Sequence, residues 1–224
     1  MSFLSGIRLS VGVIKRKIFF SPIKYWEERA RLYGKNSVLN LTLNEQEIKS
    51  LKDFQLNTIF PVLSGQLTGN EKKLLDFGCG PGRLSVELAH STGCEVVAAD
   101  PIEYLLQLGP RDASVTYRKI IRNRIPAKTG EFDIIWICFV LGGIVKRRTL
   151  NQTIKEINRV AGNNCLLFII ENTSVKEDII SWKYRSVADY IGMFGNFGLK
   201  HMRDFVHANE RFSILAGRNT LHHA

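Results

Sequence analysis

Apolar positions along this chain fall into two textures. Over residues 22–65 they recur at helical spacing with polar residues between them, as in Tyr25-Trp26-Glu27-Glu28-Arg29-Ala30-Arg31, and Gly34 marks a stop. A longer helical pattern follows over about 43–63, where Asn44, with Gln46 and Glu47 after it, is placed to cap the start. From residue 73 onward, short apolar runs of strand length take over at 73–77, 95–99, 115–119, 132–139 and 166–170. Helix-period stretches at 84–90, 104–108 and 149–160 lie between them. This alternation predicts βαβ units and a mostly parallel sheet covered by helices on both faces, an α/β three-layer sandwich. The unbroken apolarity of 134–140 and 166–170 fits strands buried on both sides.

The end of the chain departs from that rhythm. Residues 201–208 and 211–218 are strand-like runs separated by Asn209-Glu210, a gap that only an antiparallel hairpin can bridge. At the other end, Phe3, Ile7, Val11, Ile14 and Ile18 form an apolar stripe at helical spacing, with Arg8 and Lys15 mostly elsewhere on the wheel. A basic stripe of this kind either packs on the domain or lies on an anionic membrane surface, so residues 1–20 are a candidate peripheral membrane contact. The domain reading is an N-terminal basic and lid-like helical segment, 1–65, followed by a single α/β domain, 66–224.

Composition adds exclusions. With 224 residues, 45% hydrophobic and 23% charged, the chain is an ordinary globular one, and no apolar run approaches the ~20 residues of a membrane span. Its four cysteines, at 79, 94, 138 and 165, form no CxxC pair, which points to reduced thiols in a cytoplasmic setting and to no metal site. The formal charge of +10 favours anionic partners such as nucleic acid, but Arg8, Lys15, Arg16, Lys17 and Lys24 carry half of it in a segment without acids. That concentration weakens the case for nucleic acid.

The sharpest chemical signal is Leu74-Leu75-Asp76-Phe77-Gly78-Cys79-Gly80-Pro81-Gly82-Arg83-Leu84: an apolar strand, a glycine-rich turn and the start of a helix. Glycines let a backbone approach a ligand closely, and a helix start offers free N–H groups to a carboxylate or phosphate. The next strand ends in Asp100, placed to accept from ribose hydroxyls. The spacing is GxGxG with Arg83 where the dinucleotide fingerprint has its third glycine, and Asp76 inside the strand would repel a pyrophosphate but pair with an ammonium group. An NAD-dependent oxidoreductase is disfavoured on both counts.

The glycine motif, the acid in Val96-Val97-Ala98-Ala99-Asp100-Pro101, the 132–144 strand and the terminal hairpin together resemble class I S-adenosylmethionine-dependent methyltransferases over about residues 66–219. There is a weaker resemblance to members from bacterial cell-surface polysaccharide clusters. The resemblance implies a Rossmann-like fold with a seven-stranded sheet in the order 3-2-1-4-5-7-6, strand 7 antiparallel. It also implies S-adenosylmethionine as cofactor and S-adenosylhomocysteine as product. Asp76 and the backbone of Gly78, Cys79, Gly80 and Gly82 would surround the methionine moiety. Asp100 would hold the ribose hydroxyls, Pro101 and Ile102 would lie against the adenine, and Cys138, Phe139 and Val140 would line the methyl-transfer face.

Two departures stand out. No acid follows the third strand in Lys119-Ile120-Ile121-Arg122-Asn123-Arg124, so Asn123 or a backbone carbonyl takes its place at the adenine, or the adenine is held differently. Gly142-Gly143 occupies the place where several relatives carry histidine; it gives a ligand room or is only a turn. Methyl transfer is mainly a matter of alignment, and a base is needed only if the acceptor must lose a proton. Glu171 and His201 are the candidate proton acceptors, and Tyr25, Trp26 and Tyr33 are lid candidates. No Asn/Asp-Pro-Pro-aromatic tetrapeptide follows the fourth strand and the chain has no Pro-Cys pair, which argues against the amino-methylating enzymes of DNA bases and glutamine and against cysteine-nucleophile pyrimidine enzymes. Residues 175–200, with Trp182, Lys183, Tyr184, Arg185, Tyr190, Met193 and Phe194, read either as an acceptor pocket or as a helix covering the sheet. The expected acceptor is an oxygen, or a nitrogen, of a small molecule, sugar or lipid-linked intermediate. The alternatives are an RNA methyltransferase and a non-catalytic cofactor-binding scaffold.

Overall fold

A computed structural model of the protein describes residues 20–39, 41, 44–207 and 209–220. The amphipathic reading of residues 3–18 lies outside the described residues. In chain order the elements are α1 (Pro22–Tyr33), a 3-10 turn (Gly34–Val38), α2 (Glu45–Thr58), α3 (Phe60–Ser64), β1 (Lys73–Phe77), α4 (Ser85–Thr92), β2 (Glu95–Asp100) and α5 (Glu103–Gln107). They continue with β3 (Val115–Lys119), β4 (Phe132–Cys138), α6 (Arg147–Val160), β5 (Ala161–Asn172), α7 (Val187–Met193), β6 (Lys200–His207) and β7 (Glu210–Arg218).

The seven strands form one sheet in the order β3-β2-β1-β4-β5-β7-β6, parallel through β5 and antiparallel at β7 and β6. Strand periodicity sorts the side chains. Leu74, Val96, Ala98, Ile134, Trp136, Phe168 and Ile214 pack against Ile59, Phe60 and Leu63 of α2–α3 and Leu88 of α4. Their neighbours Leu75, Val97, Ile135, Ile137, Leu167 and Leu215 pack on the other face, against Leu150, Ile157 and Val160 of α6 and Tyr190 and Phe194 near α7. Two such cores, each at ~25 cal/mol per Å² of apolar surface removed from water, hold helices on both sides of the sheet.

Local chemistry sets the ends. Asn44 caps α2 in a reciprocal box, its side chain accepting from Glu47 N at 3.0 Å while the Glu47 carboxylate accepts from Asn44 N at 2.8 Å. The pattern over 43–63 is two helices, α2 and α3, with a break at Ile59, because Pro61 has no N–H to continue the ladder. Strand β5 begins five residues earlier than the apolar run at 166–170 suggests, since exposed Asn163 and Asn164 interrupt the hydrophobic pattern without ending the strand. Residues 175–200 are not one covering helix. They form a largely irregular segment with the seven-residue α7 near its end. In α1, Ala30 is fully buried with Ile102 and Leu105, which sets the N-terminal segment on α5 at the carboxyl edge of the sheet. Among the described residues no helix is long and apolar enough to cross a membrane.

Candidate active site

The turn after β1 has left-handed backbone at all three glycines, with φ of 73° at Gly78, 56° at Gly80 and 66° at Gly82. Gly78 N and Cys79 N donate to Ala99 O at 2.7 and 3.2 Å, locking the turn to the end of β2. A Cβ on Gly78 would sit 2.5 Å from Val140, so the absence of a side chain lets the loop after β4 close against this turn. Gly82 faces away from the site: a Cβ there would lie 2.3 Å from the Tyr117 hydroxyl of β3. Its expected place beside the cofactor is therefore corrected, since its glycine serves close packing and it is absent from the cavity wall.

Two buried carboxylates flank the turn. Asp100 accepts from Gly80 N at 3.0 Å and from Ile102 N at 2.8 Å, which leaves each oxygen lone-pair capacity for one more donor. Burial pushes its pKa up to about 6 against those two bonds. Asp76 accepts a single described bond, from Ser85 Oγ at 2.7 Å. Burial, with Asp100 adding to it, pushes Asp76 up to about 7. Arg83 stands nearby: one end of its guanidinium donates to Gln55 Oε1 at 2.6 Å, and the other, Nη1, is buried without a partner. Burial lowers its pKa, and among the described residues no carboxylate is bonded to it.

At the end of β4, Phe139 adopts φ of 58°, an arrangement that costs a bulky residue roughly 1–3 kcal/mol. Its surroundings impose it. Phe139 N donates to Ile170 O at 2.9 Å, and Val140 N and Leu141 N donate to Glu171 Oε1 at 2.7 and 2.6 Å. Arg185 donates to Leu141 O and Ile144 O at 2.7 and 3.1 Å. Glu171 is fully buried and, with its carboxylate committed to this loop, does not reach the cavity wall. Burial raises its pKa to about 7 against these N–H bonds. It is a brace for the strained turn, which corrects its expected role as a proton acceptor. His201 is corrected in the same way: it is exposed on β6, bonded to Asp204 at 2.7 Å, and away from the cavity.

These loops open onto a cavity of about 870 Å³ at the carboxyl ends of the parallel strands, where ligands of open α/β sheets sit. Asp76, Gly78, Cys79, Gly80, Asp100, Pro101, Ile102, Cys138, Phe139 and Val140 all line it. So do Tyr25 and Trp26 of α1, whereas Tyr33 does not; its ring lies under Arg29, 5.8 Å from the guanidinium carbon. Asn123 lines the wall after β3 with φ of 59°, its amide donating to Gln152 at 3.2 Å. Burial raises the pKa of both cavity thiols, Cys79 and Cys138, far above the ordinary range, so they are packing groups and not nucleophiles. The Gly142-Gly143 pair makes room for Trp182, whose ring would lie 2.2 Å from a Cβ on Gly142.

Several wall residues were not evident from the sequence: Arg83 as a buried cation, and Phe54, Phe205, His207 and Phe212. The one available signal was the alternation of Phe205 and His207 on a single strand face. Among the described residues, no cluster of His, Cys, Asp and Glu could hold a metal ion.

Residues 74–164 match the family model of a methyltransferase domain. No curated protein matches the chain. Among solved structures, the chain is similar to an S-adenosylmethionine-dependent methyltransferase from Aquifex aeolicus, with 21% identity, a TM-score of 0.57 and coverage of 78% of this chain and 98% of that one. It is similar to a protein from Pyrococcus horikoshii at 17% identity and a TM-score of 0.61, covering 79% of this chain and 93% of that one. A possible histamine N-methyltransferase from Thermotoga maritima matches at 15% identity and a TM-score of 0.58, covering 78% and 97% of the two chains. The sheet order is that of the Rossmann-like methyltransferase fold, and residues 74–164 match a methyltransferase domain; the reading as an enzyme that uses S-adenosylmethionine rests on these two findings.

The cavity passes a test of fit to S-adenosylmethionine. An underbonded carboxylate at Asp76 and an orphaned guanidinium nitrogen at Arg83 are the two opposite charges that an amino-acid end needs. Asp100 keeps acceptor capacity for a diol, and apolar Ile102 lies two residues beyond it for a flat base.

Proposed function

We propose that the enzyme methylates an oxygen, or a nitrogen, of a small organic, glycan or lipid-linked acceptor in this cavity. The observation that carries the reading is the pair of buried carboxylates, Asp76 and Asp100, on either side of the glycine turn and in one cavity with the strained end of β4. In this proposal Asp76 receives the ammonium group and Arg83 the carboxylate of the cofactor's amino-acid end, along the backbone of Gly78, Cys79 and Gly80. Asp100 receives the ribose hydroxyls, Pro101 and Ile102 contact the adenine, and Cys138, Phe139 and Val140 face the transferred methyl group. Bound there, S-adenosylmethionine supplies an electrophilic methyl group on a sulfonium leaving group.

The chain's own contribution is alignment. Glu171 and Arg185 pin the 139–144 turn and so hold the Phe139–Val140 wall in one place, which is the kind of positioning that lowers a displacement barrier. We propose that the helices of the N-terminal segment, through residue 65, serve as the cover of this site, with Tyr25 and Trp26 excluding water from it. The test is transfer of a tritiated methyl group from S-adenosylmethionine into separate pools of small organic molecules, glycan precursors and RNA. Label in the first two supports the reading; label in RNA alone would overturn it.

A further inference from the structure

Asp76, Asp100 and the glycine turn occupy one end of the cavity; the other end is walled by rings from four separate elements. Phe139, at the end of β4, meets Phe212 of β7 edge-on, with centroids 5.0 Å apart. Phe212 lies nearly parallel to Phe205 of β6 at 5.3 Å and 25°. Phe205 tilts against Phe54 of α2 at 5.4 Å, and the His207 imidazole lies nearly parallel to Phe54 at 6.0 Å and 23°. All five line the cavity.

The polar groups beside these rings are engaged with one another. Asn172 donates to Glu210 at 2.9 Å and accepts from Ser174 N, and the Glu210 carboxylate also accepts from Ser174 Oγ and Lys176 Nζ. Gln55 Oε1 is held by Arg83. The His207 imidazole, exposed at the rim, is the one of these five rings with polar atoms, and no hydrogen bond engages it among the described residues. A sugar needs several free donors and acceptors around its ring, and beside these rings the Asn172, Glu210 and Gln55 Oε1 groups are already engaged. A flat apolar ring with one polar substituent matches what it does offer: aromatic faces and edges at stacking distance, and a single open imidazole.

We propose that this end is the acceptor subsite and that it takes a planar aromatic hydroxyl compound, with its ring against the sides that Phe54, Phe139, Phe205 and Phe212 turn to the cavity and its hydroxyl toward His207. The assignment rests on the reading of the same cavity given above. Phe139 joins the two ends, since its strained backbone aims one residue of the methyl-facing turn into the aromatic wall.

The test uses the full chain and 2-naphthol as probe. Binding of S-adenosylhomocysteine is measured first by calorimetry, and the loaded protein is then titrated with 2-naphthol, naphthalene or methyl glucoside. The expected result is saturable binding of 2-naphthol and no detectable binding of methyl glucoside. Phe205→Leu, which keeps an apolar side chain, should weaken 2-naphthol binding by about 3- to 10-fold, in line with the usual strength of a stacked aromatic pair. His207→Gln should weaken 2-naphthol and leave naphthalene unchanged, a split that a purely structural role would not produce. Preference for methyl glucoside, or Phe205→Leu binding 2-naphthol as wild type does, would overturn the assignment. Loss of S-adenosylhomocysteine binding in the wild type would overturn the reading of the whole cavity, whereas its retention without 2-naphthol binding would overturn the acceptor assignment alone.

Discussion

Cofactor binding should expel about one proton from the enzyme near pH 6.5. In the free protein, burial holds Asp76 near pKa 7 and Asp100 near 6, both raised from the ordinary carboxylate range. At pH 6.5 the first is then about three-quarters protonated and the second about one-quarter, which makes about one proton on the pair. An ammonium group against Asp76 and hydroxyl donors on Asp100 both favour the ionised form, so that proton leaves on binding. The assay is titration calorimetry with S-adenosylmethionine in buffers of different ionisation enthalpy, where the slope of the observed enthalpy gives the protons released. The expected slope is about one at pH 6.5 and near zero at pH 8.5, where both carboxylates are already ionised. Asp76→Asn should reduce it to about a quarter at pH 6.5, the share left to Asp100. A slope of zero at pH 6.5, or one unchanged by Asp76→Asn, would refute the placement of an ammonium group at this carboxylate.

Four further variants have defined outcomes. Glu171→Ala removes the acceptor of two buried N–H groups, each worth about 1–3 kcal/mol, and should lower stability by roughly 2–5 kcal/mol in denaturant unfolding. Because Glu171 is raised to about 7 from 4.5, the wild type loses stability as pH rises through that window, and Glu171→Gln should flatten this part of the pH profile. Gly142→Ala forces a methyl group against the Trp182 ring and should cost about 1–3 kcal/mol with a shift in tryptophan emission; unchanged emission and melting would contradict the packing described. Glu71 behaves oppositely to Glu171: burial opposes its ionisation, but bonds from Arg218 and Thr68 prevail and hold it near 2. Its stabilisation should be present above about pH 4.5 and fade as pH falls toward 2, and Glu71→Gln should remove that portion of the acid transition.

The sheet was legible because strands such as Ile134–Ile137 are buried on both faces and so stand out as unbroken apolar runs. The shape of the glycine turn and the position of Asp100 at the end of β2 were legible because each is set by a few consecutive residues. Gly82 misled because a glycine kept for packing against Tyr117 looks, in sequence, the same as one kept for a ligand. His201 misled for a geometric reason. Read as plain alternation, His201, Phe205 and His207 share a face, yet the pairing slips between His201 and Arg203. His201 therefore pairs with Leu215 on the α6–α7 face, while Phe205 pairs with Phe212 on the opposite face, with the α2–α4 core. A bulge reverses facing, and nothing in residues 200–207 announces it. Glu171 was visible as an acid at a strand end, but whether it faces a ligand or braces a loop depends on the Phe139 turn, which is a tertiary property.

The most direct test of the account is the affinity of the purified protein for S-adenosylmethionine and for NAD, measured on the wild type and on Asp100→Asn. The account predicts saturable binding of S-adenosylmethionine, at least about tenfold weaker when Asp100 loses its charge, since hydrogen bonds to an ionised group contribute about 1.5–3 kcal/mol. It predicts no comparable binding of NAD. Binding that is indifferent to Asp100→Asn, or a preference for NAD, would contradict the placement of the cofactor between Asp76 and Asp100.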